Sequence, residues 1–149
     1  MKVYLGADHR GFLLKEKVRL WLEKNNILHE DLGAHKLDKT DDYTTYAERV
    51  ASIVAKDKSS KGILFCGSGV GVDVTANKFD GIRSSLGINP QQIEAGRNDD
   101  DMNVLVIAAD YTIELHTIRM IEKFLHTPFS GKERYKHRIE EIARIEENN

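Results

Sequence analysis

The sequence has one cysteine, two prolines, a net charge of only −2 and no long apolar run. A single cysteine excludes an internal disulfide and fits a reducing cytoplasm. With two prolines, no low-complexity stretch and no internal repeat, nothing divides the chain. Its 149 residues therefore read as one domain, 1–149, with 130–149 as a C-terminal helix. No apolar run approaches the roughly 20 residues of a membrane span, and Met1-Lys2 runs straight into a strand pattern. Neither a membrane nor a signal peptide is expected. The small net charge gives no general attraction to nucleic acid. His29, His35, His116 and His126 show no metal-ligand spacing and read as surface residues, so no metal is expected.

Familiar phosphate loops are missing as well. Gly67 and Gly69 are followed by Val72 where a dinucleotide fingerprint needs its third glycine. No stretch fits the P-loop pattern, and no arginine follows the cysteine closely, as it does in the phosphate loop of cysteine phosphatases.

What is present centres on Gly62-Ile63-Leu64-Phe65-Cys66-Gly67-Ser68-Gly69-Val70-Gly71. The apolar run suits a strand buried on both faces. Val72 to Lys78 reads as the helix that follows the glycines. Strand, glycine-rich turn and helix present free backbone N–H groups to an anion. A thiol beside the positive end of a helix is expected to favour its thiolate. Cys66 is thus a candidate nucleophile or base beside an oxyanion or phosphate cradle. The alternative is a buried structural cysteine in a tight turn.

The other elements follow in order. Residues 2–6 read as a first strand, closed by the polar turn Ala7-Asp8-His9-Arg10-Gly11. Leu14, Val18, Trp21 and Leu22 mark a helix from Phe12 that Asn25-Asn26 stops. Residues 27–32 read as a second strand, and Thr45-x-x-Glu48 as a capping box opening the next helix. Residues 81–86 read as a fourth strand. Asn89-Pro90 caps a helix running to about Asn98, and residues 102–108 read as a fifth strand. A helix over about 112–125 is broken by Pro128, and Ser130-x-x-Glu133 caps the last one. Five strands alternating with helices predict a Rossmann-like α/β fold, a three-layer αβα sandwich on a five-stranded parallel sheet. Asp8, His9 and Cys66 each follow a strand, so they converge at its carboxyl edge. Asp8 could instead cap the first helix, and His9 could be a solvated turn residue.

At these residues the chain resembles the ribose-5-phosphate isomerase B / galactose-6-phosphate isomerase family. Gly6-Ala7-Asp8-His9, Gly11-Phe12 and Leu14-Lys15-Glu16 match its N-terminal signature, and the central block around Cys66 matches closely. Ala76-Asn77-Lys78, Gly81-Ile82-Arg83, Asn103-Val104-Leu105 and Arg134-x-x-x-Arg138 also fit. Asp42-Tyr43 matches its Asp-Tyr-Pro, with Thr44 in place of proline. The resemblance implies a cofactor-independent aldose–ketose isomerase of a sugar phosphate, ribose 5-phosphate foremost, working through an enediolate. It implies Cys66 as the base, Ser68 and the N–H groups of Gly67, Gly69, Val70 and Gly71 at the oxyanion, and Asp8 at a hydroxyl proton. It further implies Tyr43 at the substrate and His9, Arg134 and Arg138 at the phosphate. Two arginines four apart share a helix face, which suits a phosphate but also an ordinary solvated face. A different pentose or hexose phosphate, or a non-catalytic phosphosugar-binding role, are the alternatives.

Three positions depart from the family. Asp99 and Asp100 stand where it has a His-Asn pair, the His being assigned to ring opening, and Asp110 stands where it often has an arginine. Asp99 is read as catalytic and Asp100 as substrate-binding. Both precede the fifth strand, so in a parallel sheet they lie at the edge opposite Cys66, roughly 17–20 Å away. They can meet the sugar only if a neighbouring subunit supplies them, which predicts a homodimer, or a dimer of dimers, with shared sites. The other reading of Asp99 to Asp101 is an acidic turn.

Overall fold

The computed structural model describes residues 1–148, so Asn149, the end of the expected C-terminal segment, lies outside the described residues. Strands and helices alternate as β1 (Val3–Ala7), α1 (Phe12–Lys24), β2 (His29–Asp31), α2 (Tyr43–Val54), β3 (Lys61–Cys66) and α3 (Val70–Ala76). They continue as β4 (Ser84–Leu86), α4 (Pro90–Asp100), β5 (Val104–Ala108), α5 (Glu114–His126) and α6 (Glu133–Glu146). The strands form one sheet in the order β2-β1-β3-β5-β4, and every pairing is parallel.

Parallel strands with helices on both faces must be apolar on both sides. Ile63, Leu64 and Phe65 of β3 and all of β5 are buried. Alternation then splits the core in two. Val3, Leu5, Ile63, Phe65, Leu105 and Ile107 face one way, against Val18 and Leu22 of α1, Ile93 of α4 and Met120, Ile121 and Phe124 of α5. Leu64, Cys66, Val104 and Val106 face the other way, against Ala47, Val50 and Val54 of α2 and Val72 and Ala76 of α3. This is the αβα sandwich that the pattern predicts.

α6 stands apart, with none of its residues buried. Its Ile139, Ile142 and Ala143 close a cavity of about 280 Å³ over Lys61, Arg83 and Asn103, residues at the amino ends of the strands. Glu146 Oε2 also accepts from Gly81 N at 3.0 Å. The edge strand β2 is tied to α1 by Lys15, fully buried, whose ammonium pairs with Asp31 and Glu16.

Several boundaries differ from the sequence-based expectation. Thr45 and Glu48 form no capping box: α2 begins earlier, at Tyr43, with Asp42 in the cap position. Ser130 does not cap α6, whose N-cap is Lys132, and Ser130 N instead donates to Asn98 O at 3.0 Å. α3 starts two residues sooner than expected, and β2 and β4 shrink to three residues each because edge strands pair on one side only. α4 runs to Asp100, so Asp99 and Asp100 form its last turn and Asp101 takes the left-handed position after it. The Asn89 cap holds, its side chain accepting from Gln92 N at 2.9 Å.

Candidate active site

The strand order reverses between β1 and β3, one running out to β2 and the other to β5 and β4. At such a switch point the loops leaving adjacent carboxyl ends turn apart and open a crevice. Asp8 leaves β1 there and Cys66 ends β3. Cys66 Sγ donates to Asp8 Oδ2 at 3.3 Å, with both residues buried. Asp8 Oδ1 accepts from Arg10 N at 3.0 Å and Gly11 N at 2.9 Å. Asp8 thus braces the start of α1 with one oxygen and holds the thiol with the other. α1 can begin this close because residue 11 is glycine: a Cβ there would sit 2.5 Å from the Phe65 backbone.

Burial pushes the Cys66 thiol up, and the Asp8 charge pushes it further, while hydrogen bonds from the Gly69 and Gly67 backbone act the other way. This corrects the expectation of a thiolate favoured by the helix end. α3 has only seven residues, and its positive end does not outweigh an adjacent carboxylate in a dry site. The resting group is a thiol whose proton faces a carboxylate.

The loop residues surround it. Gly69 adopts φ 78, a left-handed conformation that turns the chain into α3. Ser68 is exposed, and its Oγ accepts from Val70 N at 3.4 Å. The Tyr43 ring lies on Gly71, where a Cβ would come within 2.6 Å of it. Arg10 lies on Gly67 in the same way and pairs with Asp110 at the end of β5. The negative charge that Asp110 adds beside the loop is therefore met by a neighbouring cation. His9 N and Nδ1 reach Asp41 Oδ1 at 3.1 and 2.6 Å. The structure thus brings together Asp8, His9, Tyr43, Cys66, Gly67, Ser68, Gly69, Val70 and Gly71.

It does not bring in Asp99, Asp100, Arg134 or Arg138 from the same chain. Asp99 and Asp100 end α4 at the amino edge of the sheet, a β3 length of roughly 17 Å from the thiol. Acids in a last helical turn oppose the helix dipole, so their position is not explained by helix stability. Asp101 has a structural task, accepting from Arg83 Nη2 at 2.9 Å and Arg97 Nη1 at 2.8 Å. Arg134 and Arg138 lie on α6 along that same edge. Among the described residues neither is ion-paired, and the Arg138 guanidinium is 5.8 Å from the Tyr135 ring centroid. Arg10 and Asp41 are the partners that sequence reasoning missed. The Asp41-Asp42 pair and a charge set between His9 and Gly11 were the only signals of them.

The sequence profile described as Ribose/Galactose Isomerase matches residues 3–142. The chain belongs to the ribose/galactose isomerase family. Among relatives in this family, it is 35% identical over 147 residues to ribose-5-phosphate isomerase B of Escherichia coli, covering 98% of this chain and 97% of that one. It is also 35% identical over 144 residues to a probable ribose-5-phosphate isomerase B of Mycoplasma pneumoniae, covering 97% and 94%. The fold is similar to that of the Mycoplasma genitalium isomerase B with bound ribulose-5-phosphate. The TM-score there is 0.95 at 32% identity, over 99% of this chain and 97% of that one. The Thermotoga maritima isomerase gives 0.91 at 33% identity, over 96% and 97%. Among the described residues, no helix of this family member is long and apolar enough to cross a membrane.

Proposed function

We propose that this chain is a single-domain aldose–ketose isomerase that interconverts ribose 5-phosphate and ribulose 5-phosphate without a cofactor. The observation that carries this reading is the Cys66–Asp8 pair at the switch point, beside the glycine-rich turn that opens α3. Moving a carbonyl between adjacent carbons requires a proton to leave one carbon and return to the other. Cys66 must first release its own proton, and Asp8 Oδ2 at 3.3 Å is placed to take it. The thiolate then removes the carbon-bound proton while Asp8 gives its proton to the carbonyl oxygen. The negative charge that develops on that oxygen before its proton arrives lies against Ser68 and the N–H groups of Gly67 to Gly71, and a neutral enediol results. Reversing both transfers at the neighbouring oxygen and carbon yields the ketose. Tyr43, on Gly71, forms a wall of the sugar site.

The two arginines that the family resemblance assigns to the phosphate, Arg134 and Arg138, lie on α6 at the far edge of one chain. We therefore assign Arg134 and Arg138, with Asp99 and Asp100, to the crevice of a neighbouring copy in a homodimer with two shared sites. The exposed α6 supports this: its apolar Ile142 and Ile145 are about half exposed in the single chain. The cytoplasm, where one catalytic thiol stays reduced, suits the chemistry.

A coupled assay over a panel of pentose and hexose phosphates tests the reading. Turnover confined to ribose 5-phosphate and ribulose 5-phosphate is the expected result. Turnover of another sugar phosphate alone would reassign the substrate, and binding without turnover would make the chain a phosphosugar-binding protein.

A further inference from the structure

The cavity beneath α6 takes no part in the chemistry at Cys66. It measures about 280 Å³ and lies at the amino ends of the strands, a β3 length of roughly 17 Å from the thiol. Ile139, Ile142 and Ala143 of α6 form its roof, and Val54 and Ala55 at the end of α2 form a wall. Positions 139, 142, 143 and 146 share one helix face, so α6 sets an apolar stripe over the cavity and ends it with Glu146.

Most polar groups of the lining are already engaged by the protein itself. Arg83 donates to the Asp100 and Asp101 carbonyls and to Asp101 Oδ2. Asp101 Oδ1 accepts from Arg97 Nη1 at 2.8 Å, so one carboxylate is shared between two arginines. Asn103 accepts from Arg83 N and donates to Gly81 O, and Glu146 accepts from Gly81 N. Ser60 Oγ donates to Asp57 O. Two ammonium groups of the lining remain, those of Lys58 and Lys61. Lys2, Lys15, Lys17, Lys123 and Lys136 are ion-paired, whereas among the described residues these two are not. Lys61 Nζ stands 5.3 Å from the Phe124 ring centroid. Burial, with the Arg97 and Arg83 cations, holds its pKa down to about 8, and Asp101 acts the other way. The fold thus gathers positive charge at this cavity beyond what its carboxylates answer, an arrangement that disfavours the cations and favours an incoming anion.

We propose that the cavity beneath α6 is a second binding site, which takes a small organic phosphate monoester. Two ammonium groups match the charge of a phosphate dianion, and lysine binds phosphate as a point charge. The apolar roof and wall fit a short carbon body, and the volume lies just under the roughly 300 Å³ at which larger ligands begin. The bound ester joins the sheet to α6, a helix with none of its own residues buried.

Glycerol 3-phosphate is the probe, because it has no carbonyl to react with an amine. Reductive methylation of the full chain, read by peptide mass spectrometry, follows each lysine separately. Saturating glycerol 3-phosphate should slow methylation of Lys58 and Lys61 by roughly tenfold and leave the exposed Lys24 unchanged. Glycerol should protect neither lysine, and inorganic phosphate should protect both less than the ester does. Protection should persist in Arg138→Ala, which separates this cavity from the phosphate site assigned to α6. Lys61→Met, which keeps the stem and removes the charge, should weaken the ester's protection of Lys58 by about tenfold and change isomerase turnover by no more than about threefold. Unprotected lysines, equal protection by glycerol or by inorganic phosphate, protection lost in Arg138→Ala, or protection of Lys58 unchanged in Lys61→Met would overturn the proposal. A native protein inert on every sugar phosphate would strike down the isomerase reading and leave the protection result standing.

Discussion

Cys66 and Asp8 come from strands 58 residues apart in sequence and meet through one hydrogen bond, Sγ to Oδ2, at 3.3 Å. Each sets the state of the other. The carboxylate keeps the thiol protonated, and the thiol fills the one carboxylate oxygen that the start of α1 leaves free.

Replacing Cys66 with Ala should reduce isomerisation by at least the 10²–10⁴-fold typical of a general base, with sugar-phosphate binding largely kept. Calorimetric titration beside the rate assay checks this, and an Ala variant of normal activity would refute it.

The thiol's pH dependence follows from its surroundings. Burial and Asp8 raise its pKa, so alkylation of this only cysteine by iodoacetamide should accelerate late, in the alkaline range. Asp8→Asn removes the like charge, which lowers the pKa, so the acceleration should move to lower pH. An unshifted profile would show that Asp8 does not govern the thiol.

Arg138→Ala should raise KM for phosphorylated sugars far more than for free ones, by about 2–3 kcal/mol in binding for a charge-assisted pair. Mixing inactive Cys66→Ala protein with protein inactivated at Asp99 and Asp100 should restore activity, because a hybrid dimer contains one intact site. Proven hybrids that stay inactive, or a fully active monomer, would exclude sharing.

Arg10→Ala should raise KM by leaving the Asp110 charge uncompensated beside the loop, and Arg10→Ala with Asp110→Ala should recover part of the loss. The pair is partly solvated, so stability should change by no more than about 1 kcal/mol. Equal KM values in the single and double variants would separate Asp110 from the substrate site.

Lys61, at the first position of β3, is held down to about 8 by burial, reinforced by the nearby Arg97 and Arg83 cations. With its folded pKa below the ordinary 10.5, its contribution to stability is full above that value and lost as pH falls through 8. Lys61→Met should therefore raise Tm most below pH 8, and the gain should shrink toward pH 10.5. A pH-independent difference would mean that the ammonium is solvated.

What the sequence made legible is what local pattern decides. β3 and β5 stand out because burial on both faces makes continuous apolar runs, and Asn89-Pro90 caps α4 through chemistry contained in four residues. Strand β2 is shorter than its sequence pattern predicts, since where an edge strand stops depends on its single neighbour. The Thr45 and Ser130 caps failed because Tyr43 packing on Gly71, and Ser130 bonding to Asn98, decide where those helices start. Cys66 and Asp8 were readable as residues at strand ends. The sign of the thiol's shift was not, because it depends on a 3.3 Å contact between them. Asp41 escaped because its partner lies 32 residues away across a loop without periodicity.

The sheet's borders limit how copies of this protein can join. β2 and β4, the two outer strands, have three residues each, and β2 carries His29, Glu30 and Asp31. So short a border, charged on one side, gives an incoming strand little backbone to pair with. Growth by adding strand to strand, the route to fibrils, is closed to the folded molecule. Crowded solutions should then yield discrete particles joined through helices, not extended sheets.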